Sequence, residues 1–181
     1  MKVITAPEIY YPTHDEISVF LAGGITNCPD WQSEVIKIIP GEGPTDNLVI
    51  FNPRRDNFPI NDPDAARDQI KWEFDALNKM DIFSMYFCGG ESDQPICMYE
   101  LGRYISQMQM RFPCNWWERI VISCEDNYKR KQDAEIQMSL ATGNQCRVRT
   151  NQDAFFKQGS LHKYHAEMIW QAYALLNYCL V

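Results

Sequence analysis

Short apolar runs that alternate with amphipathic helical segments constrain the fold of this chain more than any other feature. Five runs have the length and composition of buried strands, at Ile17–Gly24, Asn47–Phe51, Asp81–Phe87, Arg119–Cys124 and Cys146–Thr150. Segments with helical apolar spacing lie between them and after the last one. Because buried strands joined by helices form right-handed crossovers, the pattern predicts an α/β fold. We expect a flavodoxin-like three-layer sandwich with a five-stranded parallel sheet.

The length of the chain, 181 residues, is typical of one domain. Residues 1–16 show no regular period and contain two prolines. We interpret them as an N-terminal arm that could include a short strand, and residues 17–181 as a single domain. Hydrophobic residues make up 45 % of the chain and charged residues 23 %, which is typical of a folded globular protein.

The charge and the cysteines restrict the partners and the compartment. The net charge is −7 and the isoelectric point is near 4.9, with no basic stripe, so we expect no polynucleotide partner. No apolar run reaches the roughly 18 residues of a membrane span, so we expect no membrane partner. The cysteines form no CxxC pair and follow no secretory signal, which predicts reduced thiols in a cytosolic protein. They are Cys28, Cys88, Cys97, Cys114, Cys124, Cys146 and Cys179.

Ligands of an open parallel sheet bind beyond the carboxyl ends of the strands, where the strand order reverses. Four segments follow predicted strands in this way, at residues 22–27, 52–57, 88–100 and 125–133. They contain most of the glycines, an arginine pair and many acids. We therefore searched these segments, and the helices next to them, for functional residues.

Glu100 lies in the segment "QPICMYELG". Pro95 near the first helical position places Glu100 in the second turn, where the helix dipole favours a carboxylate that is ionised at neutral pH. An ionised carboxylate can act as a nucleophile toward an electron-poor carbon. The alternative is that Glu100 only stabilises the helix start and pairs with Arg103. Position alone favours this structural role.

Two strand-end loops offer candidate substrate-binding groups. Gly23 and Gly24 in "FLAGG" leave room for a ligand, although a plain tight turn explains them as well. Asn52, Arg54 and Arg55 in "NPRRD" follow the second predicted strand. Arginines there could clamp a phosphate or a carboxylate, or could lie in a solvated loop.

Two pairs of polar residues on predicted helices are further candidates for a functional role. Gln69 and Glu73 in "QIKWE" share one helical face, so their amide and carboxylate could read the edge of a nucleobase, or face water. His162 and His165 are three residues apart but have no accompanying ligand cluster. We therefore predict no metal site.

The motifs "FLAGGI", "NPRRD", "QIKWE", "PICMYELG" and "YKRKQDAEI", in this order, resemble the nucleoside 2-deoxyribosyltransferase-like family, especially a branch common in bacteria and their phages. The resemblance covers roughly residues 17 to 150. It implies the flavodoxin-like fold and a homo-oligomer with a shared active site. It also implies cleavage of the N-glycosidic bond of 2′-deoxynucleosides through a covalent deoxyribosyl-glutamate, with the sugar passed to another base or to water.

The resemblance also suggests roles for four acids. It places the nucleophile at Glu100 and the group that holds the sugar hydroxyls at Asp93. Glu73 would protonate or orient the base. Asp133, which stands where better-known members have asparagine, would reach the active site of a neighbouring subunit.

The sequence therefore predicts a retaining N-glycosyl transferase or hydrolase that acts on a nucleoside or nucleotide and exchanges a free nucleobase. Neither a metal nor a redox cofactor is required by this chemistry. The sequence does not decide whether the substrate carries a 5′-phosphate, which Arg54 and Arg55 would bind. The expected location is the cytoplasm of a bacterium or of a phage-infected host. The alternative is a non-catalytic module of the same fold that binds or sequesters a nucleotide.

Overall fold

A computed structural model describes residues 1–178. The strands are β1 (Lys2–Thr5), β2 (Ile17–Gly23), β3 (Leu48–Asn52), β4 (Ile82–Phe87), β5 (Ile120–Cys124) and β6 (Arg149–Thr150). The helices are α1 (Trp31–Glu42), α2 (Ala65–Leu77), α3 (Pro95–Arg111), α4 (Lys131–Thr142), α5 (Asn151–Phe156) and α6 (Leu161–Tyr178). A short 3₁₀ turn, Trp116–Arg119, precedes β5.

All strands pair in parallel in one sheet of order β1-β3-β2-β4-β5-β6. The predicted three-layer α/β class is confirmed, but the sheet has six strands rather than five. The additional strand, β1, lies in the predicted arm and pairs with β3 from Lys2 opposite Val49 to Thr5 opposite Asn52. With four residues it is too short for a periodic pattern, and only its pairing with β3 defines it.

The helices cover both faces of the sheet. On one face α2, α3 and α4 pack on a core that contains Phe20, Phe51 and Phe83. On the other face α1 and α6 pack on Leu21 and Ile50. Neighbouring residues of each central strand thus point to opposite layers, as expected for strands buried on both sides.

The helix starts follow the sequence signals more closely than the helix faces do. Asp30 caps α1, since its Oδ1 accepts a hydrogen bond from the Ser33 amide at 3.1 Å. Helix α3 begins at Pro95, as predicted. The helical spacing in α2 predicts an apolar face of Ile70, Phe74 and Leu77, which is wrong at two positions, because Ile70 and Phe74 are 66 % and 45 % exposed. Trp72 and Ala76 are buried in their place, since this side of α2 faces the sheet.

The chain crosses from one side of β2 to the other after β3, so the strand order reverses between β2 and β4. Their carboxyl ends lie side by side, with Gly23 opposite Tyr86. Backbone that leaves two neighbouring strands in opposite directions opens a crevice between the two loops. None of the helices within residues 1–178 has both the length and the apolar content to cross a membrane.

Candidate active site

A pocket of about 230 Å³ lies beyond the carboxyl ends of β2 and β4. The loop after β2 contributes Gly24 to its wall, and the loop after β4 contributes Ser92 and Gln94. Glu73 from α2 and Glu100 from α3 also line it. Two carboxyl groups from separate helices are thus brought to one cavity at the point where the strand order reverses.

The two glycines are required by close approaches of other groups. A Cβ atom on Gly23, whose φ is +150°, would lie 2.3 Å from the carbonyl oxygen of Tyr86. A Cβ atom on Gly24 would lie 2.6 Å from Gln94 Oε1. Any other residue at either position would push apart the two loops that form the pocket.

The surroundings of Glu73 and Glu100 favour the uncharged form of each carboxyl group. Burial, together with the like charge of the nearby Glu73 carboxylate, raises the pKa of Glu100 to about 8. Burial also raises the pKa of Glu73, and a hydrogen bond from Gln69 opposes that effect. The expectation that the helix dipole keeps Glu100 ionised at neutral pH is therefore wrong. Desolvation by the pocket walls and repulsion by Glu73 outweigh the dipole.

The pocket continues into a groove of about 730 Å³ between α2 and α3, which Glu73 and Glu100 also line. Gln69 and Arg55 stand in its wall, and Arg55 lies over the ring of Phe58. Arg103 also lines the groove and lies over the ring of Phe74, and the remaining large side chains are apolar or aromatic. They are Phe58, Ile60, Ile70, Phe74, Leu77, Ile96, Tyr99 and Tyr104.

Arg54 and Asn52 stand behind the pocket and order its loops. The Arg54 guanidinium donates hydrogen bonds to the carbonyl oxygens of Ile25, Cys28 and Pro29 at 3.2, 3.2 and 2.8 Å. Asn52 Oδ1 accepts a hydrogen bond from the backbone amide of Arg54 at 3.0 Å. Of the two arginines, Arg55 is the one that lines the groove.

Asp93 and Asp133 are not brought to the carboxyl pair within one chain. The Asp93 side chain is 63 % exposed and lies 3.8 Å from Lys129 Nζ, while its neighbours Ser92 and Gln94 line the pocket. Asp133 is exposed on α4, where its carboxylate pairs with Arg130 at 3.3 Å.

The sequence search missed Gln94, which holds the loop after β4. Its Oε1 accepts from the Cys88 amide at 3.2 Å, and its Nε2 donates to the Cys88 carbonyl at 2.7 Å. Gln94 has a left-handed φ of 45° and ends the loop just before α3. A glutamine immediately before a helix-initiating proline was the available signal in the sequence. Glu125 supports the same loop, since its Oε2 accepts from the Gly89 amide at 2.8 Å.

His165 lies under the opposite face of the sheet and is fully buried. Its Nε2 pairs with the Ser84 hydroxyl and its Nδ1 with the Ser123 hydroxyl, both at 2.8 Å. Burial, together with the proximity of His162, lowers the pKa of His165 to about 3. Within residues 1–178, no cluster of His, Cys, Asp and Glu side chains is arranged to hold a metal ion.

Six of the seven cysteines fall within the described part of the chain, and all six are free thiols. Cys97 borders the pocket, and burial raises its pKa to about 12. Cys179 lies outside the described residues.

A family profile, nucleoside 2-deoxyribosyltransferase like, matches residues 16–115. The chain belongs to this family. The match spans β2 to α3 and therefore contains the pocket, Glu73 and Glu100, whereas Asp133 lies beyond it. Membership is consistent with a glycosyltransferase-like enzyme for small nucleoside substrates. A comparison with curated proteins finds no match.

Proposed function

We propose that this family member cleaves the N-glycosidic bond of a 2′-deoxynucleoside or its nucleotide, and passes the sugar to another base or to water. The observation that carries the proposal is the pair of partly buried carboxyl groups, Glu73 and Glu100, in one pocket at the strand-order reversal. Two carboxyl groups whose surroundings favour one shared proton can divide the roles of nucleophile and acid.

The reaction assigns a distinct task to each carboxyl group. As the bond from C1′ to the base nitrogen breaks, its electron pair goes to the base and positive charge develops on the sugar. Ionised Glu100 stabilises that charge and then bonds to C1′. Protonated Glu73 gives its proton to the departing base. An acceptor base or water then attacks C1′ and releases Glu100, while Glu73 takes the proton back.

The arginines and Asp93 receive separate proposals. We assign Arg54 to the support of the loop after β2, because three of its hydrogen bonds go to carbonyls of that loop. Arg55 remains the candidate ligand for a 5′-phosphate. Asp93 binds the sugar hydroxyls in this proposal only after its side chain turns from Lys129 toward the pocket, next to Ser92.

The groove between α2 and α3 supports the proposed homo-oligomer. Ile70, Phe74, Ile96 and Tyr99 are 66 %, 45 %, 63 % and 62 % exposed and form a continuous apolar rim beside the carboxyl pair. Such a surface is typical of an interface. We propose that a second copy of the chain covers it and closes the active site, with Asp133 as the contributed residue. Light scattering of Ile70→Glu tests this, and an unchanged mass would contradict it.

The activity is tested by incubating the protein with the four 2′-deoxynucleosides and their 5′-monophosphates, with and without an acceptor base. Release of free base that disappears in Glu100→Ala supports the enzyme. Glu34→Ala is the matched control, because Glu34 is exposed on α1. Tight binding without base release would instead support a nucleotide-binding or sequestering module. Equal rates for nucleosides and monophosphates would remove the phosphate role of Arg55.

A further inference from the structure

The Gln69 side chain leaves one hydrogen-bond acceptor unused in the wall of the groove. Its Nε2 donates both of its protons, to the Pro53 carbonyl and to Glu73 Oε1, each at 2.8 Å. The Pro53 carbonyl can only accept, so the amide cannot be turned over. Gln69 is 9 % exposed, its Oε1 is itself buried, and no donor among the described residues reaches that oxygen.

The same hydrogen bonds fix where Glu73 can carry a proton. Glu73 Oε1 accepts a hydrogen bond from Gln69, and the carbonyl oxygen of a carboxylic acid is its better acceptor, so protonated Glu73 carries its proton on Oε2. Burial favours that protonated form by raising the pKa of Glu73. The two neighbouring side chains thus present one acceptor, Gln69 Oε1, and one acidic donor, Glu73 Oε2–H.

We infer that this pair selects a 6-aminopurine as the leaving base. The amino group at C6 donates to Gln69 Oε1, and N7 accepts the proton of Glu73. Both groups lie on one edge of the purine. A proton at N7 also draws the bonding electrons of C1′–N9 into the ring, so recognition and activation of the base use the same contact. The inference rests on the proposed function and names its substrate class.

A 6-oxopurine cannot donate the corresponding hydrogen bond to Gln69. Its O6 is an acceptor and would face Gln69 Oε1, another acceptor. Leaving a buried acceptor unpaired is unfavourable, and a site built around a donor on the substrate rejects the analogue without it. We expect kcat/KM for the 6-amino substrate to exceed that for the 6-oxo substrate by about 10- to 100-fold.

The test compares 2′-deoxyadenosine with 2′-deoxyinosine, each as nucleoside and as 5′-monophosphate, with the wild-type protein. A preference of at least about tenfold for the adenine compounds is the expected result. Equal rates, or a preference for hypoxanthine, would overturn the inference and leave the cleavage activity standing. 7-Deaza-2′-deoxyadenosine, which lacks N7, should not be cleaved, and cleavage at the rate of 2′-deoxyadenosine would overturn the role of N7.

Gln69→Met supplies a second readout. It removes the acceptor, so the ratio of kcat/KM for the two purines should fall to about one. Because the ratio is taken within one variant, a loss of folded protein cancels from it. A ratio that stays at the wild-type value would remove Gln69 from base selection.

A binding measurement keeps the two proposals separate. Calorimetric titration of the wild-type protein with adenine and with hypoxanthine needs no catalysis. If no nucleoside or nucleotide is cleaved, the proposed function fails, and tighter binding of adenine still supports the inference. Equal affinity for the two bases would contradict it.

Discussion

The two faces of the sheet bury ionisable groups in opposite ways. Under α1 and α6, both ring nitrogens of His165 have serine partners, and the side chain is fully enclosed. Under α2 and α3, Glu73 and Glu100 border an open pocket, and next to them the Gln69 acceptor has no partner among the described residues. Burial shifts the pKa on both sides, downward for the histidine and upward for the acids.

A shifted pKa therefore does not identify a functional site by itself. The His165 cluster is complete, so its neutral ring serves the packing of α6 on the sheet. The surroundings of the acid pair are incomplete, because no donor among the described residues reaches the neighbouring Gln69 Oε1. The useful distinction between the two regions is the unfilled hydrogen-bonding capacity beside a cavity.

The largest expected effect is the loss of activity in Glu100→Gln. Removing the nucleophile should lower the rate of base release by at least about 1,000-fold, measured by chromatography of the free base. The folded protein should remain, since the amide has the same shape and needs no charge in the pocket. Activity close to wild type would remove Glu100 from the mechanism.

The same variant should gain stability at high pH. The folded-state pKa of Glu100, about 8, lies above its ordinary value of 4.5, so the native protein holds a proton that the unfolded chain releases in between. Wild-type stability therefore falls as the pH rises from 4.5 to 8. At pH 8 to 9, Glu100→Gln should be about 1–3 kcal/mol more stable by urea denaturation. A less stable variant would contradict the burial of this carboxyl.

In contrast to Glu100→Gln, His165→Ala should lower the stability of the protein strongly and its activity little. The change leaves a cavity and two buried hydroxyls without their partner, which should lower the free energy of unfolding by about 2–4 kcal/mol. Urea denaturation at pH 7.5 measures this. The rate of base release per folded molecule should stay within about twofold of wild type, because no step of the proposed mechanism uses His165.

The pH dependence of stability should also distinguish His165 from Glu100. A buried neutral histidine stabilises the native state above pH 6.5, and this contribution disappears as the pH falls toward 3. The stability difference between wild type and His165→Ala should therefore shrink below pH 6.5 by about 1.4 kcal/mol per pH unit. A difference that is constant with pH would show that the pKa of His165 is the same in the native and unfolded states, and would contradict its lowered pKa.

The activity should rise with pH until Glu100 is ionised. If the ionised form of Glu100 is the nucleophile, kcat/KM should increase about tenfold per pH unit up to about pH 8. A flat profile from pH 6 to pH 8 would contradict the raised pKa of Glu100.

The smallest effect on stability is expected at Asp133. Its ion pair with Arg130 is exposed, so Asp133→Ala should change the free energy of unfolding by less than about 0.5 kcal/mol. A drop in activity larger than tenfold in this variant would support a contribution to a neighbouring active site. Unchanged activity would restrict the site to the groups of one chain.

The local signals in the sequence predicted the elements well where each element carries its own information. Asp30 capped α1, Pro95 began α3, and Gly143 ended α4 in the left-handed conformation. The signals failed where a distant segment decides the outcome. Strand β1 exists through its pairing with β3, and Ile70 of α2 is exposed because the sheet faces the other side of that helix.

The candidate site shows the same division. The motifs identified Glu73, Glu100 and the two glycines as residues near the strand ends, and the structure brings these four to one pocket. The sequence did not distinguish Arg54 from Arg55. Arg54 differs because it donates hydrogen bonds to backbone carbonyls between residues 25 and 29, which are distant from it along the chain. Gln94 was not identified for the same reason, because the folded conformation of the loop brings its side chain to the Cys88 backbone.

The sequence by itself determined the alternation of strands and helices, the helix starts and the presence of acids at the strand ends. These features follow from side-chain periodicity and local hydrogen bonds. Only the tertiary structure decided that Glu100 is held uncharged at neutral pH and that Gln69 has an unused acceptor. Both properties depend on desolvation and on groups in other segments, which act across space rather than along the chain.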